Sequence, residues 1–191
     1  MKETLSVISG LMFFAASVPY IRAILKGRTK PSKASWLIWA GLDSIVLVGM
    51  IAQHTLNGQI IGAVLVSWMT ALLALKYGQT GWTTLDKLCL GGAVLGLALW
   101  QTFSNPLLGL AASLAMIFIG AIPTFVSAWR DPNGEDRSTW MLFWLSCVAA
   151  LFAIPDWTLA DAAQPIIFTM IDTTMVYLLF VRPCLRPANQ R

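Results

Sequence analysis

Apolar residues in this chain arrive in long stretches separated by short polar breaks. Stretches of the size needed to cross a bilayer, about 20 mostly apolar residues each, run over 4–25, 35–53, 59–77, 88–103, 107–129, 138–155 and 162–181. The fourth is short and carries Gly91, Gly92 and Gly96. The breaks, Lys26 to Lys33, His54 to Gly58, Gln79 to Lys87, Ser104 to Pro106, Asp131 to Arg137 and Asp156 to Asp161, are too short to hold a separate domain. The opening Met1-Lys2-Glu3 and the apolar run to Val18 look like a signal peptide, but no polar mature chain follows, so the run is read as the first span. The pattern predicts an all-α membrane protein, a single bundle of seven transmembrane helices.

Composition agrees with that reading. Of 191 residues 57% are hydrophobic and 12% charged, with a mean hydropathy of +0.70. A soluble domain carries about 25% charged residues, so a disordered chain, a disulfide-stapled secreted fold and a soluble nucleic-acid binder are poor fits. Net charge is +4, and in a membrane protein the placement of the positives matters more than their sum. Alternate breaks and the tail hold Arg22, Lys26, Arg28, Lys30, Lys33, Lys76, Lys87, Arg130, Arg137, Arg182, Arg186 and Arg191, leaving Lys2 alone on the other face. Because cytoplasmic loops keep the positives, the N-terminus is expected outside and the C-terminus in the cytoplasm, in a multi-pass protein of the plasma (inner) membrane. Cys89, Cys147 and Cys184 show no metal-like or paired spacing and read as small apolar fillers. No phosphate loop, metal cluster or nucleophile–base pair is visible, so neither a cofactor nor an enzymatic role is expected. Arg130-Asp131-Pro132-Asn133-Gly134-Glu135-Asp136-Arg137 reads as a turn.

A shift of 104 positions superposes spans one to three on spans five to seven without gaps. Pro19 falls on Pro123, and seventeen residues after each proline stands a tryptophan, Trp36 and Trp140. Residue identity across the shift barely exceeds what membrane composition alone supplies. The weight lies in the proline-to-tryptophan spacing, the matched basic loops and the matched span boundaries. Residues 1–78 and 107–182 form the two expected three-helix repeats, 79–106 a linker helix that makes the repeats parallel, and 183–191 a cytoplasmic tail.

This 3+1+3 layout resembles the PQ-loop and SWEET transporter superfamily, whose repeats are parallel about an axis along the membrane normal. The resemblance rests on the orientation, the helix-ending prolines in spans one and five, and the short basic loop leading to a tryptophan. The dipeptide that names PQ-loop proteins is absent: Pro19 is followed by Tyr20 and Pro123 by Thr124. The resemblance implies alternating access, with Pro19 and Pro123 as paired hinges. It also implies a central site lined by polar side chains of spans three and seven. The asparagine typical of the sugar site is missing from both.

The sharpest chemical signal is a pair of acids within the spans, Asp43 about eight residues into span two and Asp172 about ten into span seven. At 1.5 Å per residue both reach mid-bilayer, where a charged side chain costs roughly 2.5–3.5 kcal/mol on insertion scales and marks a cavity, a partner or an ion path. Trp36, Trp39 and Asp43 share one face of span two, and Trp140, Trp144 and Cys147 are expected on the matching face of span six. Trp36 and Trp140 read as interfacial anchors; Trp39 and Trp144 lie deeper. Ser67, Trp68 and Thr70 reach the same depth in span three. Asp43, Asp172, Trp39, Trp68, Trp144 and Thr70 are therefore the expected substrate-binding or coupling residues.

The function expected from these residues is secondary transport of a small polar solute, an amino acid or other amine-bearing metabolite, with proton coupling as a variant. The alternatives are a facilitative sugar transporter and a non-transporting membrane receptor, for which the KDEL-receptor branch of the same architecture is a precedent. The expected partners are a small-molecule substrate, the lipid bilayer and protons, with no nucleic acid; association with further copies of the chain is left open. An intramembrane aspartyl protease would need more spans and further motifs, and a retinal photoreceptor a lysine in mid-span seven, where none stands.

Overall fold

The computed structural model describes residues 1–100 and 106–185, and the side chains within them except those of 93, 95–100 and 106–110. Among the described residues every regular element is helical. Seven main helices follow in order: α1 Lys2–Leu25, α2 Lys33–Ala52, α3 Gly58–Tyr77, α4 Thr84–Trp100, α5 Pro106–Arg130, α6 Arg137–Ala153 and α7 Leu159–Val176. The helical path of α7 continues through a wider π turn, Tyr177–Val181, into Arg182–Leu185. Helices satisfy their backbone groups internally, which a hydrocarbon environment demands. Five of them, counting α7 with its continuation, are long and apolar enough to cross a membrane, and α6 is a shorter apolar helix of 17 residues.

The helix ends follow local chemistry. Ser32, Asn57, Asp136 and Thr158 cap α2, α3, α6 and α7 by accepting a backbone N–H of the first turn. α1 stops at a left-handed Gly27 (φ +68°), with Gly27 N–H bonded to Ile24 O and Arg28 N–H to Ala23 O. α4 begins at Thr84, inside the expected break Gln79–Lys87. Thr83 and Asp86 exchange hydrogen bonds, Thr83 N–H to the carboxylate at 2.8 Å and Asp86 N–H to the hydroxyl at 3.1 Å, so a capping box starts the helix before the apolar run does. The expected end of span four at 101–103, the break residues 104–105 and the tail residues Arg186 and Arg191 lie outside the described residues. The first tail residues, up to Leu185, continue the last helix.

α3 packs against both α1 and α2, and α7 against both α5 and α6; α1 also lies along α6 and α2 along α5, while α4 rests on α5 and, less extensively, on α2. Small residues let backbones approach closely. A Cβ built on Gly62 would lie 2.7 Å from Gly10 O, so α1 and α3 touch where neither tolerates a side chain. Between α1 and α6, Ser9 Oγ donates to Ser146 O and Ser146 Oγ to Ser9 O, both at 2.9 Å. Trp39 Nε1 donates to Ile117 O at 3.0 Å, joining α2 to α5. The interior is aromatic: Phe13–Phe143 (4.4 Å between centroids), Tyr20–Trp36 (5.4 Å), Trp36–Trp39 (5.0 Å) and Trp140–Phe143 (5.7 Å) form a linked cluster, each pair adding about 0.5–1.5 kcal/mol beyond its buried area. Leu11, Leu72 and Phe152 are among the large apolar side chains left exposed, an outer surface suited to lipid rather than water.

Candidate functional site

The helix crossings leave a small cavity of about 40 Å³ at the centre of the bundle, enough for a few waters at roughly 10–15 Å³ each. Asp43 from α2 and Asp172 from α7 both line it, together with nine other residues. Eight of the eleven lining residues form four pairs separated by 104 positions: Phe13 with Ile117, Trp36 with Trp140, Trp39 with Phe143, and Ser67 with Ile171. No Lys, Arg or His lines it.

The two acids are held differently. Asp43 is 2% exposed; its Oδ2 accepts the Ser67 hydroxyl at 2.6 Å, and its Oδ1 has no hydrogen-bond partner. Asp172 Oδ2 accepts the Cys147 thiol at 3.0 Å. From that thiol a chain of donors leads away: Gln59 Nε2 donates to Cys147 Sγ (3.0 Å), Gln164 Nε2 to Gln59 Oε1 (3.1 Å) and Asn57 Nδ2 to Gln164 Oε1 (2.9 Å). The chain ends at a basin of about 350 Å³ at the amino-terminal end of the bundle, lined by Lys2, Glu3, His54, Asn57, Gln59 and Asp161 among others.

At the opposite end, where the α1–α2 and α5–α6 loops meet, a basin of about 440 Å³ is lined by Arg28, Thr29, Asn133, Glu135, Asp136, Arg137 and Ser138. Glu135 separates this basin from the cavity. Its Oε2 accepts the Tyr20 hydroxyl at 2.9 Å and the Trp140 indole N–H at 3.1 Å, and Trp140 is itself a wall of the cavity. Burial pushes the Glu135 carboxyl up to about 7; the bonds from Trp140 and Tyr20 favour its charged form, and the neighbouring Asp136 opposes it.

The other expected site residues fall as follows. Trp39 lines the cavity. Thr70 is buried with an unpartnered hydroxyl but is not a lining residue. Trp68 is 46% exposed, its indole donating to Ser44 Oγ at 3.0 Å. With Ser67 facing inward, the next residue stands 100° around the helix, since 3.6 residues make a turn. Trp144 is half-buried and donates to Thr173 Oγ1 at 3.0 Å. Phe143, three residues after Trp140, takes the wall position instead, so the inward face of α6 is Trp140, Phe143 and Cys147. Trp36 and Trp140, expected as interfacial anchors, are 3% and 2% exposed and line the cavity; Tyr20 packs on Trp36 and Glu135 bonds to Trp140. Pro19 and Pro123 lie inside unbroken helices, one half-buried and one buried.

Sequence reasoning missed Tyr20, Gln59, Glu135 and Gln164. The two glutamines did carry a signal, an amide at the start of an apolar span. Glu135 carried none, because its burial depends on Tyr20, 115 residues away in the chain. Compared with known proteins, the chain matches no protein-family model, no curated protein and no solved structure.

Proposed function

We propose that this chain is a secondary transporter of a small, amine-bearing polar solute, working by alternating access, with protons as the coupling partner. The observation that carries this reading is that two acids from different helices line one small central cavity, with a larger basin at each end of the bundle. Uncompensated negative charge in a low-dielectric cavity is costly, so protons or a cationic solute must balance it, and that exchange is the coupling. The cavity is closed toward one basin by Tyr20, Glu135 and Trp140 and toward the other by Gln59, Gln164 and Cys147. Movement of one seal at a time opens one side.

Two three-helix repeats give such a mechanism its moving parts. The four lining pairs at a shift of 104 support the duplication, as does the reciprocal packing of α1 on α6 and α2 on α5. In this reading α1–α3 and α5–α7 are parallel PQ-loop/SWEET-like halves, α4 joins them, Pro19 and Pro123 are the hinges, and the basic-loop end faces the cytoplasm of the plasma (inner) membrane. Uptake of amines into proteoliposomes, with and without a pH gradient, tests the proposal. Gradient-driven uptake should be lost in at least one of Asp43→Asn and Asp172→Asn. A ligand that binds yet never crosses sealed vesicles would make the chain a receptor instead.

A further inference from the structure

We infer that the ligand of the central cavity is an organic cation without a carboxylate, its charge held by Asp43 and its body by the aromatic walls. The inference rests on the reading of this cavity as the solute site and narrows the solute class. Six of the eleven lining residues are aromatic, Phe13, Trp36, Trp39, Trp140, Phe143 and Phe168, and ring faces attract a desolvated ammonium group. Asp43 offers a carboxyl oxygen, Oδ1, that nothing in the protein engages, although the residue is 2% exposed. A buried acceptor left in that condition is costly unless a ligand or a proton completes it.

The same inventory disfavours amino acids and sugars. An amino-acid carboxylate needs donors and positive charge, and the cavity has no basic side chain. Its polar donors are almost all spent: the Ser67 hydroxyl on Asp43, the Trp39 indole on Ile117 O and the Trp140 indole on Glu135. Only the Trp36 indole N–H lacks a hydrogen-bond partner among the walls, and one neutral donor does not offset a carboxylate beside two acids. A sugar presents several hydroxyls, of which the unengaged Asp43 Oδ1 and the Trp36 N–H can match one or two, leaving the rest unpaired. At about 40 Å³ the cavity accepts a ligand larger than a few waters only when the ring side chains swing outward, as an alternating mechanism requires.

The test is binding to the full chain purified in detergent, read by thermal unfolding and calorimetric titration. The probes are methylammonium, tetramethylammonium and choline. The controls are glycine betaine, which adds a carboxylate to the same headgroup, 3,3-dimethyl-1-butanol, the neutral counterpart of choline, and glucose. At least one cation should bind saturably, roughly thirtyfold tighter than the controls, and should lose that advantage, weakening by about the same factor, in Asp43→Asn. Phe143→Leu, which keeps an apolar wall but removes a ring face, should weaken the cation several-fold, so the result does not depend on Asp43→Asn folding. Equal binding of a control, no binding by any cation, or cation binding unchanged in both variants overturns the inference. A sugar or amino acid that binds here and crosses vesicles sinks the cation assignment alone; a cation that binds through Asp43 and never crosses sinks the carrier reading alone.

Discussion

Asp43 and Asp172 border the same cavity but have unequal surroundings. Asp43 meets a single hydroxyl, from Ser67, and keeps one oxygen unengaged. Asp172 meets a thiol that ends a chain of three amide side chains reaching the amino-terminal basin. The difference separates two tasks a coupled carrier needs. On the proposed carrier reading, Asp43 is the acid left for the solute, and Asp172 is the acid tied through Cys147 to the amide chain on one side.

The largest effect expected is on ligand binding. Asp43→Asn should weaken the bound cation by roughly thirtyfold, whereas Asp172→Asn should leave affinity within a few-fold and abolish drive by a pH gradient. Calorimetry beside proteoliposome uptake checks both, and the reverse result would exchange the two roles. Next in size is the cost of cutting each acid's support. Gln59→Leu removes the acceptor of Gln164 Nε2 and the donor to Cys147 Sγ, and Ser67→Ala removes the one hydrogen bond Asp43 has. Each should cost about 1–3 kcal/mol, with Ser67→Ala the larger, measured by unfolding in detergent. A larger loss in Gln59→Leu would mean that the amide chain supports more of the interior than the Ser67 bond to Asp43 does.

A smaller effect tests the seal at the basic-loop end. The carboxyl of Glu135 moves from its ordinary 4.5 to about 7 on burial. Between those values the folded protein holds more protons at Glu135 than the unfolded chain, so this contribution to stability is greatest below about pH 4.5 and is lost as pH rises through about 7. Glu135→Gln keeps acceptors for Tyr20 and Trp140 and should flatten that part of the unfolding-midpoint profile, with Arg28, Asp136 and Arg137 of the same basin unchanged. An identical slope in both proteins would assign the pH dependence elsewhere. The smallest effect expected is from Trp68→Phe on the outer surface: within about 0.5 kcal/mol in stability and no change in binding.

Helix positions were legible in the sequence because hydropathy sums over a whole span, and each of the seven main helices overlaps its expected stretch. The acids were legible because a charge within such a run is conspicuous. Which way each helix faces was far less so. A soluble helix announces its buried side by a polar stripe opposite, but a helix apolar all round has none, so Trp68 and Trp144 could not be told from Ser67 and Phe143. The seals were hidden for another reason. Tyr20, Glu135 and Trp140, like Gln59 and Gln164, meet only through tertiary packing, and no local pattern distinguishes Glu135 from the charged residues beside it.

Cys147 gives the molecule a clock of its own. Its sulfur is buried between Gln59 and Asp172, so an alkylating reagent added from the amino-terminal side reaches it only while the glutamines are parted. With Cys89 and Cys184 exchanged for serine, the labelling rate at Cys147 would count the openings that the proposed alternating access requires on that side. A bound solute that lengthens the interval between openings would be seen without following its passage at all.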